Sequence, residues 1–320
     1  MLSHRVVRGF YGAALTALVM AGAADARSLY DVPKYAAFLV NADSGEILYA
    51  RQADAPRYPA SITKVMTLYL AFDAISKGRL SETDMITVSA HAASQAPSKL
   101  GLRVGGQISV RDAIGVIATK SANDIAVALA ERIGGSEDAY CAMMTAKART
   151  LGMNNTMFVN ATGLPNKRQL TTARDIATLS RAVIRDFPQF YSVFSRVAYD
   201  YEGAAIGNHN HLLTTLPGVD GIKTGYTNDA GFTLAASAAH DGVRLIAVVL
   251  GGPNRLARDG NVTDLLDTGF NVLTKRSRGE VTTVAANLSE IDDLSDGVLE
   301  HLAEQGSGDD AELAMAKTPR

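Results

Sequence analysis

Two regions near the ends of the chain are apolar at almost every position, while the long middle is apolar only at intervals. Residues 36–40 and 46–50 read as two strands joined at Asp43-Ser44-Gly45, where Asp and Gly supply the dihedrals of a tight hairpin. Runs at 232–239 and 243–250 flank His240-Asp241-Gly242 in the same way and predict a second hairpin. In the first half, Val65, Leu68, Tyr69 and Phe72 recur at three- and four-residue steps. That period predicts a helix over 61–76 with one buried stripe, closed by Gly78. Residues 110–187 are rich in alanine and helical in period, with breaks at Gly134-Gly135 and Gly152, and a closing helix is expected over 261–273. Strands at both ends with helices between them require one sheet assembled from remote segments, with a helical subdomain over about 80–187 beside it. The fold class is α+β.

The two termini depart from this pattern. Arg5 and Arg8 precede an apolar run over 9–24 that ends in Ala24-Asp25-Ala26, the pattern of a secretory signal peptide cleaved after Ala26. The apolar centre is shorter than the roughly 20 residues a spanning helix needs. An exported protein, periplasmic or otherwise extracytoplasmic, is therefore expected, with residues 27–275 as the domain that carries the chemistry. Over 276–320 acidic residues outnumber basic ones and no long apolar stripe appears, so a polar, flexible tail is expected. Its acid excess opposes adsorption to anionic lipid, and no stable membrane anchor is predicted.

Composition narrows the chemistry. A formal net charge of -2 gives no general attraction to phosphate, which argues against a nucleic-acid partner. The single cysteine, Cys141, can complete neither an internal disulfide nor a thiolate metal site. His209 and His211 could face one way from a strand, yet no third ligand stands at a suitable spacing, so loop hydrogen bonding is expected there and no metal or other cofactor. No Gly-x-Ser-x-Gly elbow marks a triad hydrolase.

Three clusters can do chemistry. Ser61 and Lys64 stand three apart at the start of the first helix, on one face, where a buried lysine can act as base towards a hydroxyl. Ser121-Ala122-Asn123 interrupts two helical runs; its hydroxyl could relay a proton and its amide could hold a peptide. Lys223-Thr224-Gly225, followed by Tyr226, places a cation, a hydroxyl and a glycine on a strand that suits a ligand lying along the backbone. Singly, each has an ordinary reading: a helix cap with a solvated lysine, a helix break capped by Asn123, an edge-strand lysine before a turn.

Together, in this order, they resemble the penicillin-recognising serine acyltransferases, and among them the D-alanyl-D-alanine carboxypeptidases of the low-molecular-mass penicillin-binding proteins. The likeness runs over about 35–273. It includes Tyr58-Pro59-Ala60-Ser61-Ile62-Thr63-Lys64, Ser121-Ala122-Asn123-Asp124, Phe158-Val159-Asn160-Ala161-Thr162-Gly163-Leu164-Pro165, Gly218-Val219-Asp220-Gly221-Ile222-Lys223-Thr224-Gly225-Tyr226-Thr227 and Gly251-Gly252-Pro253. The resemblance implies a beta-lactamase/transpeptidase-like fold, an antiparallel sheet covered by helices, and an acyl-enzyme on Ser61. It implies Lys64 as base, Ser121 as proton relay, Asn123 as a contact to the substrate amide, and Lys223 as electrostatic support. Thr224 and Arg258 would receive the substrate carboxylate, and the backbone N–H groups of Ser61 and Tyr226 would form the oxyanion hole. The implied partners are a peptidoglycan stem peptide ending in D-Ala-D-Ala and beta-lactam antibiotics. A serine beta-lactamase would share the three clusters, but no glutamate lies between Glu137 and Glu202 to activate water, so slow release of penicillin is expected. The same clusters would also serve an endopeptidase of crosslinked peptides or, less readily, a non-catalytic binder of wall peptides.

Overall fold

A computed structural model describes residues 34–288. The segment 1–33, with the expected signal peptide, and residues 289–320 lie outside the described residues. The chain opens with β1 (Ala36–Asn41) and β2 (Ile47–Arg51), the expected antiparallel hairpin, with Leu39 opposite Tyr49. A single 3-10 turn, Ala60–Ile62, leads into α1 (Thr63–Ser76). After it come β3 (Met85–Thr87), the short α2 (Ala90–Ala93) and β4 (Gln107–Ser109), β3 and β4 pairing as a small ribbon that the sequence pattern does not announce.

The helical region then follows: α3 (Val110–Ala118), α4 (Asn123–Gly134), α5 (Glu137–Thr150) and α6 (Ala173–Asp186). Its starts are written locally. Ser109 accepts from Asp112 N, Ser136 from Ala139 N and Thr172 from Asp175 N, each satisfying a helix N–H that has no partner within the helix. Gly135 ends α4 in the left-handed conformation. A short α7 (Pro188–Tyr191), the ribbon β5 (Ala198–Tyr201) with β6 (Ala204–Gly207), and the single-turn α8 (Leu212–Thr215) bring the chain back to the sheet.

The last strands are β7 (Val219–Thr227), β8 (Gly231–His240) and β9 (Val243–Gly252), and α9 (Arg255–Ser277) closes the fold. Asp241 (φ 49°) and Gly242 (φ 77°) form the turn between β8 and β9, the left-handed pair a two-residue hairpin needs. The sheet runs β2-β1-β9-β8-β7, all antiparallel, so the first strand lies against the last and β7 is an edge.

This sheet is covered on both faces, which is why β1 and β9 are apolar at consecutive positions. Phe38, Val40, Ile246 and Val248 belong to the core shared with α1, α3, α4 and α6. Their neighbours Ala37, Leu39, Ala247 and Val249 pack with Val262, Leu265 and Leu266 of α9. At Gly269 an added Cβ would stand 2.8 Å from both Leu39 and Leu245, so the helix lies directly on the strands.

Three expectations need correction. α1 has no single stripe: every residue from Thr63 to Phe72 is buried, because helices surround it and the sheet backs it. α9 starts earlier than residue 261 and ends later than 273, because Asn254 caps it from Ala257 N at 2.8 Å and its first turns are charged but internal. The boundary at residue 276 also moves: Arg276 pairs with Glu46 at 2.7 Å and Val284 is fully buried under the sheet, so the start of the expected tail is part of the packed domain. Among the described residues no helix is long and apolar enough to cross a membrane.

Candidate active site

The 3-10 turn at the entrance to α1 places Ser61 half-buried, with Lys64 in the first turn of the helix. Lys64 Nζ stands 3.1 Å from Ser61 Oγ and donates to Asn123 Oδ1 at 2.7 Å and Thr162 O at 2.6 Å. The helix interior buries the amine completely. That burial, and then the positive charge of Lys223, push its pKa well below the usual lysine range, while Asp124 opposes them. An uncharged amine next to a serine hydroxyl is the arrangement that activates an alcohol as a nucleophile.

Asn123 is the first residue of α4 and not its cap; its side chain bridges Lys64 and Ala96 O, the latter at 2.8 Å. The ordinary reading of a capping asparagine is thereby set aside. Ser121, just before it, is buried at a left-handed φ of 62°, a conformation costly for a non-glycine residue. Its Oγ has no hydrogen-bond partner among the described residues. Asp124 is fully buried and accepts from Leu100 N at 2.9 Å and Gly101 N at 2.7 Å, fixing the loop in front of α4.

β7 supplies the third wall. Lys223 is buried, its pKa pushed down to about 7 by burial and by Arg258. Thr224 is buried beside it. Gly225 faces Ser61: a Cβ there would stand 2.7 Å from both Ser61 N and Thr233 Oγ1, so only glycine lets the strand and the turn approach this closely. Tyr226 is 40% exposed, its ring 4.3 Å from that of Phe232 and its hydroxyl donating to Asn228 Oδ1 at 2.9 Å. Arg258 lies behind the strand, buried, donating to Thr233 O at 3.0 Å and 2.8 Å from Asp259. Its charge is close enough to depress Lys223.

The loop 158–164 was legible as a motif but not as part of the site. Asn160 Oδ1 accepts from Thr162 N at 3.2 Å and Gly163 N at 2.7 Å, a tight turn that brings the Thr162 carbonyl to Lys64. Gly163 has φ 88°, and a side chain on it would collide with the Ala60 carbonyl. His209 is a second residue the sequence did not place. The residue is exposed, yet the protein packed around its ring, then Lys223, Lys120 and Lys64, lower its pKa. The side-chain hydrogen bonds of that segment come from its asparagines: Asn208 donates to Arg196 O at 2.9 Å and Asn210 to Gly221 O at 3.2 Å, while the His211 carbonyl accepts from Thr214 Oγ1 at 3.0 Å.

Comparison with known proteins agrees with this geometry. The family model of D-alanyl-D-alanine carboxypeptidases matches residues 23–254. The chain is 37% identical over 240 residues to the D-alanyl-D-alanine carboxypeptidase DacF of Bacillus subtilis, covering 73% of this chain and 61% of that one. It spans about three fifths of the length of most of the curated relatives it matches. Among solved structures, the D-alanyl-D-alanine carboxypeptidase DacD of Francisella tularensis superposes with a TM-score of 0.70 at 34% identity, over 74% of this chain and 70% of that one. Penicillin binding protein 5 of Haemophilus influenzae gives 0.70 at 35% identity over the same shares.

Proposed function

The chain belongs to the D-alanyl-D-alanine carboxypeptidase family, and from that premise we propose that it removes the terminal D-alanine of peptidoglycan stem peptides through an acyl-enzyme on Ser61. The observation that carries this reading is the buried, charge-depressed Lys64 amine 3.1 Å from Ser61 Oγ, facing an edge strand that carries Lys223, Thr224 and Gly225.

A stem peptide adds to the free edge of β7 as an extra antiparallel strand. Its terminal carboxylate meets Thr224, Lys223 and, through the strand, the charge of Arg258. Ser61 Oγ attacks the penultimate carbonyl carbon while Lys64 Nζ takes the hydroxyl proton, and the carbonyl oxygen becomes an oxyanion held by the amides of Ser61 and Tyr226. Asn123 orients the substrate amide. The C–N bond then breaks as Lys64 returns its proton through the Ser121 hydroxyl to the leaving nitrogen, so that D-alanine departs and the amine is neutral again. Water attacks the ester carbonyl and gives up a proton to the neutral Lys64; the C–Oγ bond breaks, the shortened peptide leaves, and Lys64 returns that proton to Ser61 Oγ. A beta-lactam enters the same path by ring opening and stays bound as the ester. Export to the wall compartment completes the reading, resting on the segment 1–26.

Mass spectrometry of the penicillin-treated protein tests it. One adduct on a peptide containing Ser61 is expected, with none in Ser61→Ala, and free D-alanine is expected from diacetyl-Lys-D-Ala-D-Ala. A protein that binds the peptide equally well with and without Ser61, releasing nothing, would instead be a wall-peptide binder.

A further inference from the structure

A neutral amine acts as a base only while its lone pair faces the proton it takes, and it has just two N–H bonds with which to hold that direction. Apart from Ser61, Lys64 Nζ has two acceptors, Asn123 Oδ1 and Thr162 O. Asn123 stands on a helix, whereas Thr162 stands on a loop, so whatever holds the loop aims the lone pair. Ala161, the residue before it, is tied on both sides of its backbone. Thr67 Oγ1 donates to Ala161 O at 2.8 Å, and Ala161 N donates to Glu137 Oε1 at 2.9 Å. The other oxygen of Glu137 bonds His91 Nε2 at 2.7 Å. The His91 side chain is 54% exposed and that of Glu137 only 13%. Among the described residues, Lys64 aside, Glu137 is the charged side chain hydrogen-bonded to the segment 158–164.

We infer that Glu137, braced by His91, is a positioning residue for the Lys64 amine: its carboxylate fixes the Ala161 backbone and so sets the Thr162 carbonyl against which the amine is oriented. This rests on the reading of Ser61 as nucleophile. The competing role is a charge at the start of α5, where a carboxylate is stabilising in its own right. Reach and charge can be separated. Glu137→Asp keeps the charge at the helix start and withdraws the carboxylate by one methylene; Glu137→Gln keeps the reach and loses the charge.

The full chain is assayed with a fluorescent penicillin for the second-order rate of acylation, and with diacetyl-Lys-D-Ala-D-Ala for kcat and KM. In Glu137→Asp, acylation and kcat are expected to fall about tenfold or more with KM within about twofold, the signature of a misaimed base. Glu137→Gln is expected to recover most of the rate. If Glu137→Asp acylates like the wild type, if both variants fall together, or if the loss lies in KM, the inference is overturned. Should thermal unfolding show Glu137→Asp to be unfolded, the exposed His91→Ala decides: acylation falls about threefold at unchanged KM if the brace matters, and is unchanged if it does not. A wild-type chain that takes no penicillin on Ser61 overturns the acyl-transfer reading itself; one that acylates beside equally active variants overturns only the role of Glu137.

Discussion

Lys64 and Lys223 are both buried amines, and the charge of Lys223 acts on Lys64 in a measurable direction. Removing the charge in Lys223→Met takes away a force that disfavours protonation of Lys64, so the acid limb of the acylation pH profile is expected to move to higher pH. A limb that stays in place would mean that burial alone sets the amine. Stability has its own sign. Lys223 titrates near pH 7 in the folded chain and at its ordinary value near 10.5 when unfolded, so between these values the unfolded chain holds the extra proton. Its contribution to stability rises with pH across that window, and urea midpoints of wild type and Lys223→Met should converge as the pH rises from 7 to 10. Gly225 gives a steric test. In Gly225→Ala the new methyl meets Ser61 N, and a fall in acylation of about a hundredfold is expected with near-native far-ultraviolet circular dichroism.

At the level of elements, the turn at 160–163 and the 3-10 turn at 60–62 are built against each other. Gly163→Ala combines a left-handed φ with a collision at Ala60, so a loss of about 2 kcal/mol or more in unfolding free energy is expected together with lost acylation. Unchanged values would show that the two turns can separate without cost. The hairpins turning at Asp43-Ser44-Gly45 and Asp241-Gly242, and the serine, lysine and asparagine of the three clusters, were legible, because each is specified within a few residues. Thr162 was not, since what it offers is a backbone carbonyl, and no side-chain pattern announces which carbonyl will face a lysine ninety-eight positions away. Glu137 escaped for a related reason: its partners, His91 and the Ala161 N–H, are remote in the chain. The beginning of α9 was hidden by Arg258 and Asp259, charged residues that break the apolar period but lie inside behind β8.

Across the whole molecule, the two cores share one sheet, and the residues just after α9 belong to the second of them. A chain ended after Leu288 keeps Val284 and the Arg276–Glu46 pair, and is expected to acylate and melt like the full chain. One ended at residue 275 loses both and is expected to be about 2 kcal/mol less stable, mostly from the exposed underside of the sheet. Equal melting of the two truncations would show that Val284 adds nothing. The pairing of β1 with β9 reaches further. Ala37 stands opposite Val249, so an inner pair of the sheet joins residues from the two ends of the domain, and a chain emerging amino end first must wait for most of its synthesis before that pair can close. Pulse-labelled hydrogen exchange during refolding is accordingly expected to protect the amides of α3 to α5 ahead of those of β1 and β9. Until that zipper shuts, the serine has no finished frame around it, and newly made copies would pass through a period of penicillin tolerance before they become targets.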